Sequence, residues 1–100
     1  MPEFKGVMAA PNRSQIKAKV LSLEQSSEYP DKWIFDLEIL ESKNISGPDF
    51  AHVGERANGF AFDPLPDISS GDVVAGEAEF LGDERGGKFR LSEIKIISQA

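Results

Sequence analysis

One hundred residues, 40% hydrophobic and 28% charged, are enough for a single domain with its own core and too apolar for disorder. A net charge of −6 and a sequence pI near 4.7 set the surface against long-range attraction of phosphate. The absence of cysteine removes disulfides, thiolate zinc sites and thiol nucleophiles together. The acidic excess is spread evenly: residues 1–50 carry six basic and eight acidic groups, and residues 51–100 carry five and nine, which sum to the 11 and 17 of the whole chain. A local basic patch is therefore compatible with the overall charge. No apolar run approaches the roughly 18 residues that a membrane-spanning helix requires, so membrane insertion is not expected. No basic-then-apolar leader opens the chain. The resulting expectation is a cytoplasmic protein, although an exported domain freed of its leader would carry the same sequence.

Residues 1–14, with Pro2, Gly6 and Pro11, keep no period and read as an irregular tail or cap, with Phe4, Val7 and Met8 placed to plug one end of a barrel. The alternation in 15–24 sets Ile16, Ala18 and Val20 against Lys17 and Lys19, and then Leu21 and Leu23 take the opposite parity. A strand whose apolar face switches midway bends through a bulge or is covered on both sides. Residues 25–31 are turn chemistry. In 32–41, Trp33, Phe35, Leu37 and Ile39 share one face, while Lys32, Ile34, Asp36, Glu38 and Leu40 share the other. That is period-two patterning of β-formers, and it predicts a second strand with its aromatic face in the core. Residues 42–54 are a connection around Gly47-Pro48, with room for at most a short helical turn.

Residues 55–63 predict a third strand that reads in two ways. Phe60 and Phe62 alternate with Ala57, Gly59 and Ala61. The phenylalanines inside make core, which is the reading hydrophobicity favours. The small residues inside would leave the phenylalanines outside as a stacking surface. Residues 64–71, with two prolines and Ser-Ser-Gly, cannot sit mid-sheet. Strands four and five span 72–81 and 88–97. Facing Phe80 with Phe89 and Ala78 with Leu91 puts both apolar sets on one side, sets Glu79 against Arg90 outside, and leaves Asp83–Gly86 as a four-residue loop. The predicted core is Trp33, Phe35, Leu37, Ile39, Val74, Phe80, Phe89 and Leu91. Residues 15–97 thus form one all-β domain, a small closed or partly open barrel of about five strands, followed by a short tail at 98–100.

The strand and loop pattern, with SGDVVAGEAEFLGDERGGKFRLSEI as its last hairpin, resembles an oligonucleotide/oligosaccharide-binding fold (OB-fold) over roughly residues 15–97. The departure is at 64–70, too short and too rich in proline for the helix such domains usually carry there. An SH3-like barrel and a small β-sandwich are the alternatives.

Enzyme signatures are absent: there is no G-x-S-x-G, P-loop, H-E-x-x-H or dinucleotide fingerprint. His52, the lone histidine, sits in a Gly/Pro loop with no metal-ligand spacing around it, so no metal and no cofactor are expected. The pairs Asp36/Glu38 and Glu77/Glu79 read as solvated surface carboxylates. What remains is a non-enzymatic binding module. The resemblance implies single-stranded nucleic acid as ligand, on a groove across strands two and three flanked by the first-to-second and fourth-to-fifth loops. The residues available for that contact are Lys17, Lys19, Tyr29, Lys32, Phe60, Phe62, Arg85, Lys88 and Arg90. The acidic balance favours the other reading, a protein partner on an outward Ile34/Leu40 patch with carboxylates beside it.

Overall fold

The structure, a computed structural model, describes residues 11–83 and 86–100. The proposed plug residues Phe4, Val7 and Met8, and Arg85 at the hairpin tip, lie outside them. Five strands, β1 (Arg13–Gln25), β2 (Lys32–Ser46), β3 (Arg56–Phe62), β4 (Val73–Asp83) and β5 (Gly86–Ser98), close into a barrel in the order β1-β2-β3-β5-β4. Every neighbour pairs antiparallel except β3 and β5, which meet in parallel through Gly59↔Phe89 and Phe60↔Arg90. Closure removes the exposed edges that a sheet this small would otherwise present. No helix occurs among the described residues, and Pro48 starts none.

The strands run longer than alternation alone predicts, except β3. β2 continues to Ser46 because its polar end pairs with the start of β1, Arg13↔Ser46 and Ser14↔Asn44. Just before β1, the buried Asn12 acts as a ladder rung: the Phe80 N–H donates to its Oδ1 at 2.8 Å and its Nδ2 donates to the Phe80 carbonyl at 3.0 Å. The final hairpin keeps the expected register, Phe80↔Phe89, Glu79↔Arg90 and Ala78↔Leu91. The four-residue loop is corrected, because the ladder continues to Asp83↔Gly86 and leaves only 84–85 to connect the strands. Gly87 pairs with Gly82 in that ladder, and the Phe80 ring lies against it, leaving no room for a side chain. The parity switch in β1 is a bulge: register shifts fall at Lys17/Ala18 and Val20/Ser22, after which Leu21 and Leu23 are half-buried.

The core contains Ile16, Ala18 and Val20 of β1, Phe35, Leu37 and Ile39 of β2, Ala61 of β3, Val74 and Ala78 of β4, and Phe89 and Leu91 of β5. Trp33 and Phe80, expected inside, are only partly buried because they stand at opposite barrel ends. Phe80 stacks on Phe50 at 4.8 Å and meets Phe89 edge-on at 5.1 Å. The inward placement of Phe60 and Phe62 is overturned. Gly59 and Ala61 face in; Phe60 is half-buried on the outside and Phe62 is 42% exposed. The interior of β3 has no space for a ring: even a Cβ on Gly59 would lie 3.3 Å from Leu37 Cδ1, Leu91 Cδ1 and the Phe89 carbonyl oxygen.

The β3–β4 connection is held by Asp72, which is 3% exposed. Its carboxylate accepts from the Ser69 N–H at 2.8 Å and the Ala100 N–H at 2.9 Å, joining the loop to the chain's last residue. The Val20 N–H in turn donates to the Asp72 carbonyl at 2.8 Å. The two N–H donors, Ala100 first and Ser69 second, hold the carboxyl below its ordinary value of 3.8. A carboxyl depressed in the folded state stabilises the fold above its unfolded value and loses that contribution as pH falls through the folded one. Asp72→Asn is therefore expected to lower the melting temperature at neutral pH, and the gap to wild type should narrow as pH falls below the ordinary aspartate value of 3.8 and through the lower folded one. Thermal melts across the acid range check both the sign and the window.

Candidate nucleic-acid interface

The outward residues of β2, β3 and β5 form one continuous face. Register fixes a row across the barrel: Glu24 on β1, Ile34 on β2, Phe60 on β3, Arg90 on β5 and Glu79 on β4. One step along, Lys32 of β2 pairs with Phe62 of β3. The two phenylalanines meet edge to face, with centroids 6.0 Å apart. The Lys32 ammonium lies over Phe60, 4.8 Å from the ring centroid, and 5.7 Å from that of Tyr29. Tyr29 is placed by the turn before β2, where the Lys32 N–H donates to the Tyr29 carbonyl at 3.0 Å. An ammonium at that distance from a ring is attracted by its quadrupole. The chain thus brings Tyr29, Lys32, Phe60, Phe62 and Arg90 together as an aromatic surface with cations on two sides, and Lys88 is exposed on the same strand as Arg90.

Lys17 and Lys19 do not join this group. They stand on β1 opposite the acidic half of β2, at Lys17↔Glu41 and Lys19↔Glu38. Lys17 Nζ is 2.8 Å from the Glu41 carboxylate, so its charge answers an acid already present. Among the described residues no salt bridge involves Lys32, Lys88 or Arg90.

Sequence reasoning missed Arg56. Its Nε donates to both Asp36 carboxylate oxygens at 3.1 Å, and Nη2 adds a further bond. That hydrogen bonding, reinforced by the guanidinium's charge, holds the Asp36 carboxyl below the usual carboxylate range. Asp36 faces outward, as expected, but as half of a neutral pair. Composition carried no sign of this, because Arg56 sits opposite Glu38 and reaches Asp36 diagonally. The Ile34/Leu40 patch is also smaller than expected. Ile34 is 39% exposed, whereas Leu40 is half-buried. Ile34 adjoins Phe60 and extends the aromatic surface.

Other chemistry is sparse. The His52 Nδ1 and the Glu55 carboxylate lie 3.0 Å apart on the exposed β2–β3 loop, and hydrogen bonding to that carboxylate raises the histidine above its ordinary value. No group of three or more metal-ligating side chains occurs among the described residues. No helix among them is long and apolar enough to cross a membrane.

No protein-family model matches the sequence, and neither does any curated protein. Among solved structures the chain is similar to the second OB-fold domain of replication protein A from Methanococcus maripaludis. The TM-score is 0.50 at 14% identity, over 86% of this chain and 84% of that one. At such identity the likeness concerns architecture alone. It agrees with what the strands themselves display, five of them closed in the order β1-β2-β3-β5-β4 with β3 and β5 parallel. The chain is an OB-fold.

Proposed function

We propose that this chain is a non-enzymatic binding module that takes up single-stranded nucleic acid across the outer face of β2, β3 and β5. The observation that carries this reading is the outward placement of Phe60 and Phe62 between Lys32 and Arg90. Bases expose π-faces that stack on aromatic rings without regard to sequence, each worth about 1–3 kcal/mol. The adjacent cations meet the phosphates. The fold likeness to a domain of a replication protein supports the same reading.

Charge sets the strength. With a net charge of −6, the protein gains little from long-range attraction, so affinity comes mainly from stacking. Lys32, Lys88 and Arg90 give about two or three phosphate contacts, which corresponds to a slope of log K against log salt of about −1.5 to −2 for a single strand. Fluorescence anisotropy of an end-labelled oligothymidylate, titrated at low and high salt, measures it. A slope in that range is expected; no binding at low salt would end the proposal. A protein partner is the second reading, supported by Ile34 beside Phe60. It would then be the partner, not the oligonucleotide, that loses affinity on Ile34→Asp.

A further inference from the structure

The barrel end where Trp33 stands carries a second surface. The chain leaves β3 at Phe62 and crosses this end through 63–72 without regular structure. It leaves an open depression of about 320 Å³ lined by Leu23, Trp33, Asp63, Leu65, Pro66, Asp67 and Ile68. That volume is at the small end for a ligand site, suited to a side chain or two more than to a cofactor. The floor is apolar, with Ile68 buried and Leu23, Trp33 and Leu65 packed on the core. Among the described residues, the charged groups that line it are Asp63 and Asp67, both exposed carboxylates. Asp63 is fixed in place: the Trp33 Nε1–H donates to its carboxylate at 3.1 Å, and its N–H donates to the Asp31 carbonyl at 2.8 Å. The base nearest in sequence, Lys32, points to the other surface, its ammonium over Phe60.

An apolar floor, an indole and two carboxylates, with no cation beside them among the described residues, define the complement. We propose that this depression seats a partner polypeptide that presents an arginine or lysine beside an aliphatic residue. The aliphatic group covers Leu23 and Leu65, and the cation lies against the indole and the carboxylates of Asp63 and Asp67. The carboxylates repel a phosphate backbone. A second copy of this chain is opposed by its own charge of −6. The module would then hold a basic protein segment at one barrel end while the β2–β3–β5 face stays open to a different ligand.

Trp33 is the chain's single tryptophan, so its fluorescence reports on this end directly. The probes are the peptide acetyl-Gly-Leu-Arg-Leu-Arg-Gly-amide, the same peptide with glutamate for arginine, and an oligothymidylate, each titrated into the full chain. A saturable Trp33 response to the arginine peptide alone is expected, and Asp63→Asn with Asp67→Asn should weaken it at least about tenfold. Asparagine at 63 can still accept from the indole, and circular dichroism verifies the fold. Should the double variant not fold, Asp67→Asn alone, which leaves the Trp33 bond in place, must weaken the response. Four results overturn the proposal: no saturable response to the arginine peptide, an equal response to the glutamate peptide, affinity unchanged in the folded variants, or an oligonucleotide response that strengthens when the carboxylates are removed.

Discussion

Phe35→Ala is expected to lower unfolding free energy by about 3–5 kcal/mol, the range for deleting a fully buried aromatic ring. Phe35 is 1% exposed and lies between two neighbouring strands, paired with Leu23 on one side and Gly59 on the other. Gly59 contributes no side chain to fill the cavity, and Leu37 and Leu91 are already in close contact with that backbone. The loss would be a large fraction of the about 5–15 kcal/mol that a domain this size possesses. Urea denaturation should show a much lower midpoint with an unchanged slope. A wild-type midpoint would mean that the opposite face of β2 is inside.

Phe60→Ala should have the opposite profile. Its ring is on the outside, against Lys32 and beside Phe62, so its removal opens no cavity in the core. The denaturation midpoint should stay near wild type. Oligonucleotide affinity should fall by the worth of one stacked base, about 1–3 kcal/mol, or roughly 5- to 150-fold. Phe62→Ala should do less, because among the described residues no cation lies over its ring, whereas Lys32 lies over Phe60. A Phe60→Ala protein that is folded and binds as tightly as wild type would place the contact elsewhere.

Most of the barrel is legible in the residues. The alternation of Trp33 to Ile39 identifies β2 and its buried face, and charge matching of Glu79 with Arg90 sets the hairpin register. The change of parity at Leu21 allows a bulge or a strand covered on both sides, and the register shifts of β1 show the bulge. The candidate site is less legible, for a physical reason. A strand that alternates large and small apolar residues satisfies the period-two rule with either face inside, and hydrophobicity alone then prefers the larger set as core. What decides β3 is crowding from other strands, the side chains of Leu37 and Leu91 and the Phe89 carbonyl against Gly59. None of these is near Gly59 in sequence. The Arg56–Asp36 pair was hidden in the same way, since a diagonal cross-strand contact exists only once the register is known. Lys17 and Lys19, plausible as groove bases by type, turn out to oppose Glu41 and Glu38 across the ladder.

The most direct test of the proposed function is a map of where an oligonucleotide touches the protein. Titrating a short oligothymidylate into the isotope-labelled chain at low salt, and following backbone amide shifts by nuclear magnetic resonance, gives that map residue by residue. The expected result is a contiguous set of perturbed amides at Tyr29, Lys32, Ile34, Phe60, Phe62, Lys88 and Arg90, with Lys17, Lys19 and the 65–68 segment little affected. Perturbations centred on the β1–β4 side of the barrel, or none at saturating oligonucleotide, would contradict it.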